Sequence, residues 1–89
     1  MKIQVTQEHI DRGKRGSCGS CPIALAGKAA FPDYQIEVGL TSMQFHDKLT
    51  FEHLFGIYLP EKASKFIDDF DAERRVTPFE FDLDMNEKV

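Results

Sequence analysis

Residues 22–30, Pro-Ile-Ala-Leu-Ala-Gly-Lys-Ala-Ala, are apolar nearly all round, and most of their side chains are small. A helix with no polar face is stable only when other elements cover it, and small side chains let those elements come very close. The segment is well bounded. Cys21 or Ser20 supplies an N-cap, and Pro22 suits a first turn, where no backbone donor is needed. Phe31-Pro32-Asp33 ends it. The rest of the chain must therefore wrap a short, buried, small-residue helix.

The flanking patterns supply the wrapping. Ile3 and Val5 alternate with Lys2 and Gln4, a short strand. Thr6 reads as the N-cap of a helix over 7–12, with Gly13 at its C-cap. Tyr34, Ile36, Val38 and Leu40 alternate with polar residues. The apolar phase then moves to Met43 and Phe45, which predicts a bulge or bend near Thr41-Ser42. His46-Asp47-Lys48 reads as a hairpin turn, and Leu49, Phe51 and 54–58 as the return strand. Leu59, Ala63, Phe66, Ile67 and Phe70 form one helical stripe that starts at Pro60, with Arg74 and Arg75 placed to complement its dipole. Phe79, Phe81 and Leu83 alternate with Glu80, Asp82 and Asp84, a last strand that Pro78 places at a sheet edge. The order β-α-α-β-β-α-β predicts an α+β sandwich, with one antiparallel or mixed sheet and the helices on one face. Eighty-nine residues leave room for one core, so 1–84 are read as a single domain and 85–89 as a frayed tail.

Charge narrows the partners. The net charge is −4. Residues 1–45 carry five basic and four acidic side chains, and 46–89 carry six basic and eleven acidic, so the excess lies in the second half. An acidic chain is a poor general binder of nucleic acid, because phosphate contacts need clustered Lys and Arg. No run approaches the length of a membrane span, and the N-terminal residues lack the apolar core of a signal peptide. With only two cysteines, three apart, a reducing cytoplasm is the expected compartment. A homodimer would enlarge a core of this size.

Three segments carry candidate chemistry. An acidic set, Asp68, Asp69, Glu80, Asp82 and Asp84, would face a basic protein partner. The loop Gly13–Ser20, with Lys14, Arg15, Gly16 and Ser17 before a helix, is an alternative anion site for a phosphate or nucleotide. Cys18 and Cys21 are an alternative thiol or zinc site, with His9 as a further zinc ligand. At a helix N-terminus beside Lys14 and Arg15 their thiolates would be favoured. The competing reading makes both cysteines structural, Cys21 buried at the helix start and Cys18 shaping the loop. No cofactor other than zinc is expected, and no catalytic nucleophile–base–acid set can be assembled, so an enzyme is the weaker reading.

The segments Thr6–Gly13, Cys18-Gly19-Ser20-Cys21-Pro22-Ile23-Ala24-Leu25-Ala26, Phe66–Asp71 and Val76–Phe81 together resemble a group of small uncharacterised proteins of tailed bacteriophages and prophages. The Cys-Pro-Ile-Ala-Leu-Ala stretch is the most specific part. That group brings no established activity, so no residue role carries over. The resemblance implies an accessory protein made inside a bacterial host cell, one that binds a host or defence protein such as a nuclease.

Overall fold

In the computed structural model, which describes residues 1–89, the small-residue helix α2 (Pro22–Ala30) lies at the centre of the packing. The Cys21 sulfur accepts the Ala24 N–H at 3.4 Å as its N-cap. Ile23, Ala24, Ala26 and Gly27 are buried. A Cβ on Gly27 would stand 3.0 Å from Met43 Cε and 3.1 Å from Ile36 Cγ2, so the missing side chain is what lets the helix rest on the sheet.

That sheet is an antiparallel meander of β2 (Tyr34–Val38), β3 (Ser42–Asp47) and β4 (His53–Tyr58). The register pairs Ile36 with Phe45 and Phe45 with Phe55, and likewise Val38 with Met43 and Met43 with Ile57. These side chains share one face, and α2 covers it. The N-terminal strand β1 (Lys2–Val5) pairs with β5 (Phe79–Asp82) in a second, two-stranded sheet. Helices α1 (Gln7–Arg12) and α3 (Glu61–Asp71) complete an α+β fold around a single apolar cluster. Phe66 of α3 stacks on Phe79 at 4.7 Å, which joins α3 to the β1–β5 sheet.

The local signals act as expected in several places. Thr6 caps α1 in a full capping box, in which His9 Nδ1 accepts the Thr6 N–H at 3.1 Å and Thr6 Oγ1 accepts the His9 N–H at 3.3 Å. Gly13 follows α1 with an ordinary φ of −70°. It is glycine for space, since a Cβ would lie 2.6 Å from the Pro22 ring.

Other expectations need correction. The apolar phase shift after Val38 is a hairpin turn rather than a bulge. The Gly39 N–H donates to Ser42 O at 2.9 Å, so the strand read from Tyr34 to Phe45 is two strands. The element order is β-α-α-β-β-β-α-β, and its strands form two sheets rather than one. The bulge lies instead in β4, where Leu54 is the extra residue between the pairs His46–His53 and Phe45–Phe55. Arg74 and Arg75 fall beyond the end of α3, and Arg15 takes their expected place by donating to Phe70 O at 3.2 Å. The last residues are tied down rather than frayed. Tyr58 N–H donates to Glu87 O at 2.8 Å, Val89 N–H donates to Gly56 O at 3.0 Å, and Lys88 bridges Ile57.

Candidate functional site

The β3–β4 connection is held by a set of hydrogen bonds centred on one carboxylate. Asp47 ends β3, and its Oδ1 accepts the N–H groups of both Leu49 and Thr50 at 2.9 Å. The Phe51 N–H donates to Asp47 O at 2.9 Å, and the Asp47 N–H donates to Glu52 O at 2.8 Å. Thr50 Oγ1 accepts the Glu52 N–H at 3.2 Å. Lys48 Nζ reaches across to Pro32 O at 2.9 Å. The two backbone donations hold the Asp47 carboxyl below the usual aspartate range. Phe51 sits at φ 61°, a left-handed conformation that costs a bulky residue about 1–2 kcal/mol.

This strained, hydrogen-bonded turn displays apolar side chains. Leu49 is 88% exposed, Phe51 62% and Leu54, at the bulge, 46%. In the strands that lead into the turn and the residues beside them, Phe31, Tyr34, Phe45 and Phe55 form an aromatic block in which Phe45 and Phe55 stack at 4.6 Å. Leu49 and Phe51, read from alternation as strand residues, are therefore surface residues of a hydrogen-bonded turn. Their alternation was the only sequence signal at this site, and it pointed to the wrong structure.

The loop Gly13–Ser20 is already occupied by the protein's own groups. Gly16, at φ 67°, donates its N–H to Asp71 Oδ1 at 3.1 Å. Arg15 binds Phe70 O, lies 5.5 Å over the Phe70 ring and stands 3.7 Å from Glu73. The Lys14 N–H donates to Ser20 O at 2.8 Å, and Ser17 O accepts from Ser20 and Cys21. Of the expected anion site, Arg15 and Gly16 thus serve a carboxylate and a helix C-terminus within the chain.

The cysteines divide. Cys18 is exposed and Cys21 buried, and both are free thiols. Desolvation pushes the Cys21 thiol up, against the hydrogen bonds from Ala24 and Ile23, and the nearby charges of Asp71 and Cys18 add to the rise. The favoured Cys21 thiolate expected at this helix end is therefore reversed by burial. No three His, Cys, Asp or Glu side chains are grouped to hold a metal ion, and His9 is engaged in the α1 cap. Cys18, Cys21 and His9 are accordingly not assembled as a zinc site.

The acidic set is dispersed. Asp68 and Asp69 both bind Arg74, at 3.0 and 2.8 Å, and Lys65 adds a third bond to Asp69 at 3.2 Å. These partners lower the Asp69 carboxyl and raise Arg74. Glu80 lies 3.6 Å from Lys2. Asp82 and Asp84 meet away from these cations, in a hollow of about 240 Å³ shared with Glu87 and Tyr58. None of these three carboxylates is ion-paired.

Sequence reasoning also missed the polar face of the meander. His46, expected in an exposed turn, is a β3 residue whose side chain is only 17% exposed. Its Nε2 is buried 3.9 Å from Glu37 Oε2 and makes no hydrogen bond. Its ring meets that of His53 edge-on at 5.2 Å. His53 Nε2 is 2.7 Å from Gln44 Oε1, and the Gln44 side chain lies over Gly56, where a Cβ would collide with it.

Comparison with protein-family models, curated proteins and solved structures finds no match to this chain.

Proposed function

We propose that the protein is a non-enzymatic interaction module that presents Leu49, Phe51 and Leu54 to an apolar pocket in a basic protein surface. The carrying observation is a strained turn, held by the Asp47 carboxylate, whose largest side chains face solvent. Ordering a contact segment opposes association, and here the segment is ordered before any partner arrives. Aromatic and aliphatic anchors on a rigid support are the usual centre of a binding hot spot. The acidic second half of the chain, with Asp82, Asp84 and Glu87 unpaired, supplies long-range attraction to a basic partner. Asp68, Asp69 and Glu80 contribute less, because their charges are matched within the chain. No helix is long and apolar enough to cross a membrane. The resemblance to phage proteins makes a host nuclease or defence protein of a bacterial cytoplasm the class of partner in this reading.

The test compares wild type, Leu49→Ser/Phe51→Ser and Asp82→Lys/Asp84→Lys as immobilised baits against host-cell extract. The proposal expects a defined species held by wild type and lost from the double serine variant. The charge-reversed variant should hold it more weakly, with a reduced dependence on salt. Full retention by the serine variant would overturn the assignment of the contact. Loss confined to the charge-reversed variant would move the contact to the acidic hollow.

A further inference from the structure

We propose that Cys18 and Cys21 are a reversible thiol–disulfide modification site, which reacts with a small disulfide of the glutathione class and closes into an intrachain disulfide. The inference is independent of the apolar turn.

The two thiols line one hollow of about 300 Å³ between the Gly13–Ser20 loop, the β2–β3 turn and α3. The chain between them is folded back on itself, since Ser17 O accepts the N–H groups of Ser20 at 3.4 Å and Cys21 at 3.1 Å. Cys18 and Cys21 stand three residues apart on this folded-back segment, and both line the same hollow. Closing the disulfide brings their Cβ atoms to about 4 Å. The turn is fixed from outside: the Val38 N–H donates to Cys18 O at 2.7 Å, and Lys28 Nζ donates to Gly19 O at 2.6 Å. Both cysteines are therefore held on one short, anchored segment.

Their exposures give them different roles. Cys18 is exposed and Cys21 is buried, at the inner wall of the hollow. The Cys18 thiolate attacks one sulfur of glutathione disulfide, forming a protein–glutathione disulfide and releasing one glutathione thiolate. Cys21 then loses its proton to solvent and attacks Cys18 Sγ, forming the Cys18–Cys21 bond and expelling the second glutathione as thiolate. The chain has lost two protons and two electrons, and one glutathione disulfide has become two glutathiones. Burial holds the Cys21 proton, so closure is the slower step and quickens as pH rises. A disulfide sulfur keeps lone pairs, so Cys21 Sγ still accepts the Ala24 N–H and α2 keeps its cap. Both redox forms then share one fold.

Wild type, Cys18→Ser, Cys21→Ser and Cys21→Ala are incubated folded with glutathione disulfide and read by intact mass after alkylation of the remaining thiols. Wild type should end two hydrogens lighter, with nothing left to alkylate. Both Cys21 variants should stop at one stable glutathionyl group, and Cys18→Ser should acquire none. Raising the pH should shorten the life of the wild-type adduct. Two observations would overturn the proposal: a wild-type adduct that never closes, or a Cys18→Ser chain that reacts as readily as Cys21→Ser. Circular dichroism of each variant separates a failure to fold from a failure to react.

Discussion

The Asp47 carboxylate accepts the Thr50 N–H at 2.9 Å, and through that bond and its twin to Leu49 a charged side chain shapes the most apolar turn on the surface. The arrangement ties the turn to pH. Its backbone donors favour the ionised form, so the folded carboxyl titrates below its unfolded value. The contribution of Asp47 is complete above the ordinary aspartate pKa of about 3.9 and is lost as pH falls through the lowered folded value. Amide resonances of Leu49 and Thr50 should titrate together below about pH 4. In Asp47→Ala those amides should exchange faster at neutral pH, while the α2 amides stay protected.

Phe51→Gly separates display from folding. Glycine tolerates the left-handed conformation, so relief of strain should offset the greater freedom of the unfolded chain, and thermal stability should hold within about 1 kcal/mol. Partner retention should fall nonetheless, because the exposed ring is gone.

The end of α3 offers a stabilising change. Glu73 occupies the left-handed position of a Schellman ending, in which the Arg74 N–H donates to Asp69 O at 2.9 Å and the Glu73 N–H to Phe70 O at 3.1 Å. Glu73→Gly should raise stability by up to about 1 kcal/mol in chemical denaturation, since the left-handed strain it relieves exceeds both the exposed ion pair it removes and the added freedom of the unfolded chain.

Gly13 and Gly16 lie in one loop and should respond for different reasons. Gly13→Ala drives a methyl into the Pro22 ring and should cost roughly 1–3 kcal/mol. Gly16→Ala meets open space but keeps a positive φ, and should cost about 1 kcal/mol. Urea midpoints of the two variants would rank them in that order.

The sequence made the covered elements legible. The helix from Pro22 to Ala30 is readable from its unbroken run of small apolar residues and its bounding prolines, and the Phe66–Phe70 stripe because one-sided burial imposes a period on the chain. The Thr6 cap was readable because it is local. Leu49 and Phe51 copy the period of a strand, yet the Asp47 turn overrides it, and no residue spacing reveals which side chain a carboxylate will hold. The fate of the basic loop was illegible for another reason. Arg15 and Gly16 meet Phe70 and Asp71 across 55 positions, so a segment that looked free for a ligand was committed to a distant helix end. The acidic residues likewise read as one surface, because composition does not show that Arg74 folds back onto Asp68 and Asp69.

The most direct measurement is site-specific photo-crosslinking in host cells, with a photoreactive residue at position 51 and, as a control, at exposed Lys62 on α3. The account predicts one dominant heterologous adduct from position 51, none from position 62, and loss of the adduct when Leu49→Ser is added to a chain that still folds. Equal labelling from both positions, an adduct indifferent to Leu49→Ser, or an adduct made only of two copies of this chain would contradict it.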